Sequence, residues 1–249
     1  MFTNRSFARA AKAAAASAVV AVGALALTPA VASAQTEQCV AGSLDYCYSK
    51  QEMREFLEVS VDLVEGYFQE LAAQGQPYPE LSAVVYIESG ETTRSQCNDG
   101  NGGQLRPDDT AYAYCPVDNK IFIGQETLWL FYSEFGAAAP IVGLAHEYGH
   151  ALQDAAGVPE PYNSNLTIRH EDQADCIAGS WTKYIDDQGL LERRMDLTNV
   201  GELLYAIGEM EGPDQTHGTP GERVGSFLLG FAGGLEACNA FNPDSSITD

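Results

Sequence analysis

The 249-residue chain is strongly acidic: 35 aspartate and glutamate residues against 13 lysine and arginine residues give a formal net charge of −22 at pH 7. A surface with this charge repels nucleic acid and anionic membranes, so neither is expected as a partner. The acidic residues are dispersed along the chain, which favours a solvated surface over a charged interaction tail.

Residues 1–34 have the layout of a secretory signal. Arg5, Arg9 and Lys12 come first, a run rich in alanine, valine and leucine follows, and Ala-Ser-Ala ends the segment. This order predicts cleavage after Ala34 and export of the mature chain. No later stretch approaches the ~20 apolar residues of a membrane span, so we expect a secreted protein without one.

All six cysteines follow the predicted cleavage site, which favours three disulfides in an exported chain, although 15 pairings are formally possible. Proximity in the sequence suggests Cys39 with Cys47 and Cys97 with Cys115, leaving Cys176 for Cys238. No Cys-x-x-Cys spacing occurs, and a cysteine-based zinc site is therefore not expected.

The first half of the mature chain predicts one helix and then strands. Apolar residues recur at helical spacing over residues 51–74, and β-branched and aromatic residues mark strands at 81–89, 111–115 and 119–124. The short turn at 116–118 indicates a hairpin between the last two strands. The Gly- and Asp-rich stretch 97–110 predicts a loop, which resembles a calcium loop only loosely because its twelfth position holds no glutamate.

The second half is predicted to be helical. Helices are expected from Pro140 to about Ala155, over 167–186 and over 192–209, and a last one opens at Thr219 with a capping box to Glu222. Strands first and helices after predict an α+β fold. We expect an N-terminal helical segment at 35–80 and a main domain at 81–249, together forming one globular unit. A pro-region role for 35–80 stays open.

The stretch GLAHEYGHALQD, residues 143–154, carries the chemistry. His146 and His150 lie four apart, so on a helix both can present ring nitrogens to one metal ion. Glu147 then lies beside the ion, where it can take a proton from water. Two ordinary surface histidines are the alternative, but the apolar stripe of the same helix predicts burial, and Gly149 would permit close approach of another segment.

The next predicted helix offers a third ligand. Catalytic zinc takes three protein ligands and leaves a position for water. Glu171 and Asp175 share one helix face: Glu171 is predicted to complete the ligand set, and Asp175 to accept the outer N–H of a ligand histidine. His170 is a rival ligand, but its side chain leaves the helix about 100° away from that of Glu171.

Two further residues are candidates in the loop and helix around Thr219. His217, just before the helix start, is predicted to donate to the oxyanion of a tetrahedral intermediate, against the alternative of an ordinary loop histidine. Arg223 is a candidate for orienting Glu171, Asp175 or substrate. Tyr148, inside the motif, points off the ligand face and is assigned to packing.

Four separated stretches, YCPVDNKIFI, AHEYGHALQD, RHEDQADCIAGSW and THGTPGERVGSFLLGF, resemble a bacterial family of neutral zinc metallopeptidases related to the gluzincins. The resemblance covers roughly residues 82–242. It implies a zincin-like fold in which an edge strand, KIFIG or AVVYI, lines the cleft, and it supports the pairings of Cys97 with Cys115 and Cys176 with Cys238. Ala151 departs from the second histidine that many members have after the motif.

The sequence therefore predicts an exported metallopeptidase with one catalytic Zn²⁺ held by His146, His150 and Glu171. Glu147 is the general base, and the partner is a peptide or protein substrate. The alternatives are a catalytically silent, zinc-stabilised extracellular binding module and a zinc hydrolase acting on other bonds. Oligomeric state, physiological substrate and cleavage preference are not predicted.

Overall fold

The computed structural model describes residues 49–97, 103–108, 111–212 and 215–248. The predicted signal segment, Cys39 and Cys47 lie outside these residues, as does part of the 97–110 loop. None of the helices in the described part of the chain is both long and apolar enough to cross a bilayer.

The N-terminal half contains helix α1, Lys50–Ala73, and five strands. The strands are β1 Ala83–Ile87, β2 Thr93–Arg94, β3 Gln104–Leu105, β4 Tyr112–Cys115 and β5 Lys120–Gly124. In the main sheet the order is β1-β5-β4, with β1 parallel to β5 and β4 antiparallel to it. The β4–β5 hairpin is confirmed, whereas the parallel β1–β5 pairing was not predicted.

The C-terminal half is helical, which confirms the predicted α+β class. Its helices are α2 Gln125–Phe135, α3 Ala138–Ala155, α4 Ser164–Asp187, α5 Arg193–Ala206 and α6 Pro220–Gly233, followed by a 3₁₀ helix at Leu235–Ala240. The capping box of Thr219 and Glu222 at the start of α6 is present. Helix α2 was not predicted, and α5 ends at Ala206 instead of residue 209.

Helix α3 is the centre of the hydrophobic core. Ile141, Leu144 and Leu152, the predicted apolar stripe, are each 0% exposed. Met53 and Phe68 of α1 belong to the same core cluster, so the described part of the N-terminal segment packs against the helix that carries the motif.

Close helix packing brings α4 against α3 on one side and α6 on the other. A Cβ at Gly149 of α3 would lie 3.1 Å from the Cα of Ala174 in α4, which confirms the predicted close approach at this glycine. The Cys176–Cys238 disulfide ties α4 to the 3₁₀ helix, and the Cys97–Cys115 disulfide ties the end of β4 to the loop after β2. These contacts fix α4 beside the motif.

Candidate active site

Helices α3 and α4 bring three predicted metal ligands together. Nε2 of His146 lies 3.1 Å from Nε2 of His150 and 3.2 Å from Oε2 of Glu171. Nε2 of His150 lies 3.5 Å from Oε1 of Glu171. These side chains form a group in which the potential ligand atoms all lie within 4.8 Å of one another. The structure thus brings together the residues that the sequence singled out.

The donor set fits a zinc ion. Bonds of about 2.0–2.1 Å in a tetrahedron place neighbouring ligand atoms about 3.3 Å apart, which the three observed separations of 3.1, 3.2 and 3.5 Å bracket. Oε2 of Glu171 is buried and accepts no hydrogen bond from any described residue. A buried carboxylate oxygen normally has a partner, and a cation between the three side chains would provide one.

A charged pair supports His146 from behind. Nδ1 of His146 lies 2.8 Å from Oδ1 of Asp175, and Arg223 donates to Asp175 through Nε at 2.8 Å and Nη2 at 2.9 Å. Burial disfavours the Asp175 carboxylate, but the positive charges of Arg223 and His146 outweigh it and lower its pKa. Asp175 therefore lies where the sequence predicted it, and Arg223 holds its carboxylate.

A neutral amide, Gln153, supports His150. Oε1 of Gln153 lies 2.8 Å from Nδ1 of His150, and the glutamine is 0% exposed. This residue was not predicted from the sequence, although its place one turn after His150 was a usable signal. The rival ligand His170 stacks on the His150 ring, with centroids 5.3 Å apart and planes at 13°, and does not join the ligand group.

Glu147 lies beside the ligand group, between α3 and the sheet. Its side chain is buried, and Oε2 accepts a hydrogen bond of 2.7 Å from the backbone N–H of Tyr114 in β4. Burial raises the pKa of Glu147, while the neighbouring His146 opposes that effect. A carboxylate with a raised pKa holds a proton more readily, as a general base requires.

His217 approaches the ligand group from the loop before α6. Its Nε2 lies 3.5 Å from Oε2 of Glu171, and its Nδ1 lies 3.0 Å from Oε1 of Glu209. Glu209 also accepts hydrogen bonds from the backbone N–H groups of Thr216 and His217; these outweigh slight burial and lower its pKa to about 2. Glu209 was not singled out from sequence because it was placed at the end of a helix.

A pocket of about 490 Å³ opens beside His146 and Glu147. Its remaining lining includes the polar residues Glu209, His217 and Arg223. The apolar side chains of the lining come from β4, from helices α2, α3 and α5 and from the residue after α5: Tyr112, Phe131, Val142, Leu203, Leu204 and Ile207. The mixture of one apolar wall and a few convergent polar groups is typical of a substrate pocket.

The strand beside the site differs from the two suggested by the family resemblance. KIFIG is β5, the central strand of the sheet, and AVVYI is β1 at the far edge. The edge next to Glu147 is β4, as the hydrogen bond from Tyr114 shows. The reason is the parallel β1–β5 pairing, which places β5 inside the sheet and leaves β4 facing α3.

The site therefore combines a candidate zinc-binding group, made of two histidines on one helix and a glutamate from the next helix, with a buried glutamate beside it. The chain belongs to the family described as "Putative neutral zinc metallopeptidase", which it matches over residues 13–241. The structure and the family match agree with the family suggested by the four sequence stretches.

Curated relatives carry no assigned activity in their names. "Uncharacterized protein YpfJ" of Escherichia coli (strain K12) is 30% identical over 198 residues, covering 70% of this chain and 66% of that protein. "Uncharacterized protein Rv2575" of Mycobacterium tuberculosis (strain ATCC 25618 / H37Rv) is 25% identical over 159 residues, covering 52% of this chain and 54% of that protein. The chain thus spans less than two thirds of these relatives, and no solved structure matches it significantly.

Proposed function

We propose that this protein is an exported, zinc-dependent endopeptidase in which His146, His150 and Glu171 hold one catalytic zinc ion. The observation that carries the proposal is the convergence of these three side chains beside a buried Glu147. Residues 35–249 are proposed to form one unit after removal of the signal segment, since α1 shares the core with α3.

Zinc at this site would supply Lewis-acid polarisation of a water molecule and of the scissile carbonyl. Glu147 takes a proton from the water molecule while the oxygen of that water adds to the carbonyl carbon of the substrate. The carboxyl group of Glu147 then gives that proton to the amine nitrogen as the C–N bond breaks. The hydrogen bond from Tyr114 engages only Oε2, so Oε1 is the oxygen assigned to this proton transfer.

His217 is proposed to stabilise the negative charge on the carbonyl oxygen during the addition step. Its Nδ1 contact with the Glu209 carboxylate orients the ring so that Nε2 faces the ligand group. Donation from Nε2 to the carbonyl oxygen would then lower the energy of the transition state.

Substrate backbone is proposed to pair with the β4 edge. In an antiparallel strand the N–H and C=O of alternate residues point to the same side. Because the Tyr114 N–H faces Glu147, the backbone groups of Tyr112 also face the cleft. A peptide added to this edge crosses the ligand group, and one of its side chains enters the adjoining pocket of about 490 Å³.

The decisive experiment compares hydrolysis of an unfolded protein by zinc-loaded wild type and zinc-loaded Glu147→Gln. Wild type should cleave the substrate, and the variant should bind zinc equally but lose activity. Glu58→Gln, an exposed change on α1, serves as the matched control and should keep full activity. Full turnover by Glu147→Gln would refute the assignment of the base.

The binding-module alternative makes the opposite prediction in the same assay. Among the described residues the ligand group has three members, which leaves a coordination position for water. A silent module would fill that position with a protein ligand, so neither protein would cleave although each holds one zinc. Turnover of esters or other amides without peptide cleavage would favour a different zinc hydrolase.

A further inference from the structure

Gln153 makes a complete set of hydrogen bonds inside the core behind His150. Its Oε1 contacts Nδ1 of His150 at 2.8 Å. Its Nε2 donates to the backbone carbonyl of His170 at 2.7 Å and to Oε1 of Gln173 at 3.0 Å. Both amide hydrogens of Gln153 are therefore used, and its orientation matters for each contact.

A second buried amide extends this chain to the C-terminal segment. Gln173 of α4 is 0% exposed, and its Nε2 donates to the backbone carbonyl of Cys238 at 3.0 Å. Its Oε1 also accepts from Nδ2 of Asn242 at 2.7 Å. The hydrogen-bonded chain thus runs from His150 to the 3₁₀ helix, which the Cys176–Cys238 disulfide ties to α4.

The backbone carbonyls of His170 and Cys238 set the direction of every hydrogen bond in this network. A carbonyl can only accept, so the NH₂ groups of Gln153 and Gln173 must face His170 and Cys238. Oε1 of Gln153 then faces His150 and can only accept from it. In neutral His150 the proton is consequently on Nδ1, and Nε2 keeps the lone pair that a metal ion needs.

We propose that Gln153 is a positioning residue that fixes the metal-binding tautomer of His150. In the same network, Gln173 and the carbonyl of Cys238 hold the amide of Gln153 in the required orientation. The C-terminal segment from residue 235 therefore supports the metal site through the contacts of Cys238 and Asn242 with Gln173. This inference rests on the proposed zinc site but not on peptide hydrolysis.

The first test measures zinc affinity of the mature protein by competition with a chromogenic chelator. Gln153→Leu should weaken zinc binding about 10–100-fold. Gln153→Glu keeps an acceptor for His150 and should retain more affinity, although a buried extra carboxylate destabilises the fold more than leucine does. Zinc affinity that simply follows thermal stability across the two variants would reduce Gln153 to a packing role and overturn the proposal.

Two asparagines of the C-terminal segment give a matched pair. Asn242 bonds to Gln173, whereas Asn239 bonds to Thr248 and Ile247. Asn242→Ala should weaken zinc binding by up to about tenfold. Asn239→Ala should leave zinc affinity unchanged, although its thermal stability should be similar to that of Asn242→Ala. Equal zinc affinities in the two variants would remove the C-terminal segment from the metal site.

A spectroscopic test separates this inference from the proposed enzyme activity. In the zinc-loaded protein the Nδ1–H of His150 should give a proton resonance protected from solvent exchange, and Gln153→Leu should abolish the protection. An unprotected proton in wild type would refute the contact. Zinc binding and protection without any hydrolysis would sustain the inference while the proposed function fails, and no zinc binding at all would overturn both.

Discussion

Replacement of Gly230 by alanine tests whether the contact between α4 and α6 fixes the site. A Cβ at Gly230 would lie 1.8 Å from the carbonyl oxygen of Cys176 and 2.7 Å from its carbonyl carbon. Both atoms belong to the α4 backbone and cannot rotate away. Bringing the Cβ to even 3.0 Å from the oxygen requires a separation of the helices by about 1.2 Å in an interior that is packed as densely as a crystal.

Gly225 on the same helix provides the matched control, because a Cβ there meets nothing within 4 Å. Both alanine variants gain about 0.5–1 kcal/mol of helix propensity, so this term cancels between them. The remaining difference is overpacking at residue 230, which destabilises by about 1–3 kcal/mol. Because the clash is with backbone atoms, we expect a destabilisation at the upper end of this range. The melting temperature of Gly230→Ala should therefore be about 6–12 °C below that of Gly225→Ala.

The assay is thermal unfolding followed by circular dichroism in the zinc-loaded and zinc-free proteins. Arg223 lies on α6 while Asp175 and Glu171 lie on α4, so separation of these helices should also weaken zinc binding in Gly230→Ala. Equal melting temperatures for the two variants would refute the packing argument. A lower Tm with unchanged zinc affinity would show that the helix contact supports the fold but not the site.

Four further outcomes are expected at the site itself. Asp175→Asn should weaken zinc binding about 10–100-fold in a chelator competition, because Arg223 and the outer nitrogen of His146 lose their carboxylate; unchanged affinity would contradict this support. Burial alone would lower the pKa of His146, but Asp175 and the neighbouring carboxylates raise that pKa to about 10. Zinc must displace the proton that His146 holds below this pH, so zinc affinity should keep rising above pH 8. A plateau of zinc affinity near pH 7 would contradict the raised pKa. His217→Phe should lower kcat about 10²–10³-fold with zinc affinity unchanged. Glu209→Gln should lower kcat by a smaller factor. A change confined to KM in either variant would assign the replaced residue to substrate binding instead.

Local patterns in the sequence predicted the helix that carries the motif and the ligands that lie on it. The i, i+4 spacing of His146 and His150 depends only on helix geometry, and the apolar stripe beside them indicated its burial. Glu171 and Asp175 followed from the same spacing on the next helix. The prediction of α3 and α4 therefore placed four candidate site residues, two on each helix, before any tertiary contact was known.

Tertiary contacts that no local pattern encodes account for what was missed. Helix α2 has a run of large aromatic and apolar residues that also suits a strand, and its N-cap, Gly124, has no side-chain hydrogen bond. The parallel pairing of β1 with β5 joins segments more than 30 residues apart. The spacing of Gln153 from His150 was a local signal, but the orientation of its amide depends on tertiary contacts, because Nε2 donates to the carbonyl of His170 and Gln173 donates to the carbonyl of Cys238.

Charge balance accounts for the different supports of the two histidines that are proposed as ligands. Two positive charges of a zinc ion and one of Arg223 would balance the three carboxylates of Glu147, Glu171 and Asp175, which leaves the buried site neutral. A fourth carboxylate behind His150, in place of Gln153, would leave one negative charge uncompensated in the interior. Without zinc the same carboxylates are in excess, which is why the pKa of His146 is raised to about 10. The amide orients His150 without adding charge, and protons compete directly with the metal for the site.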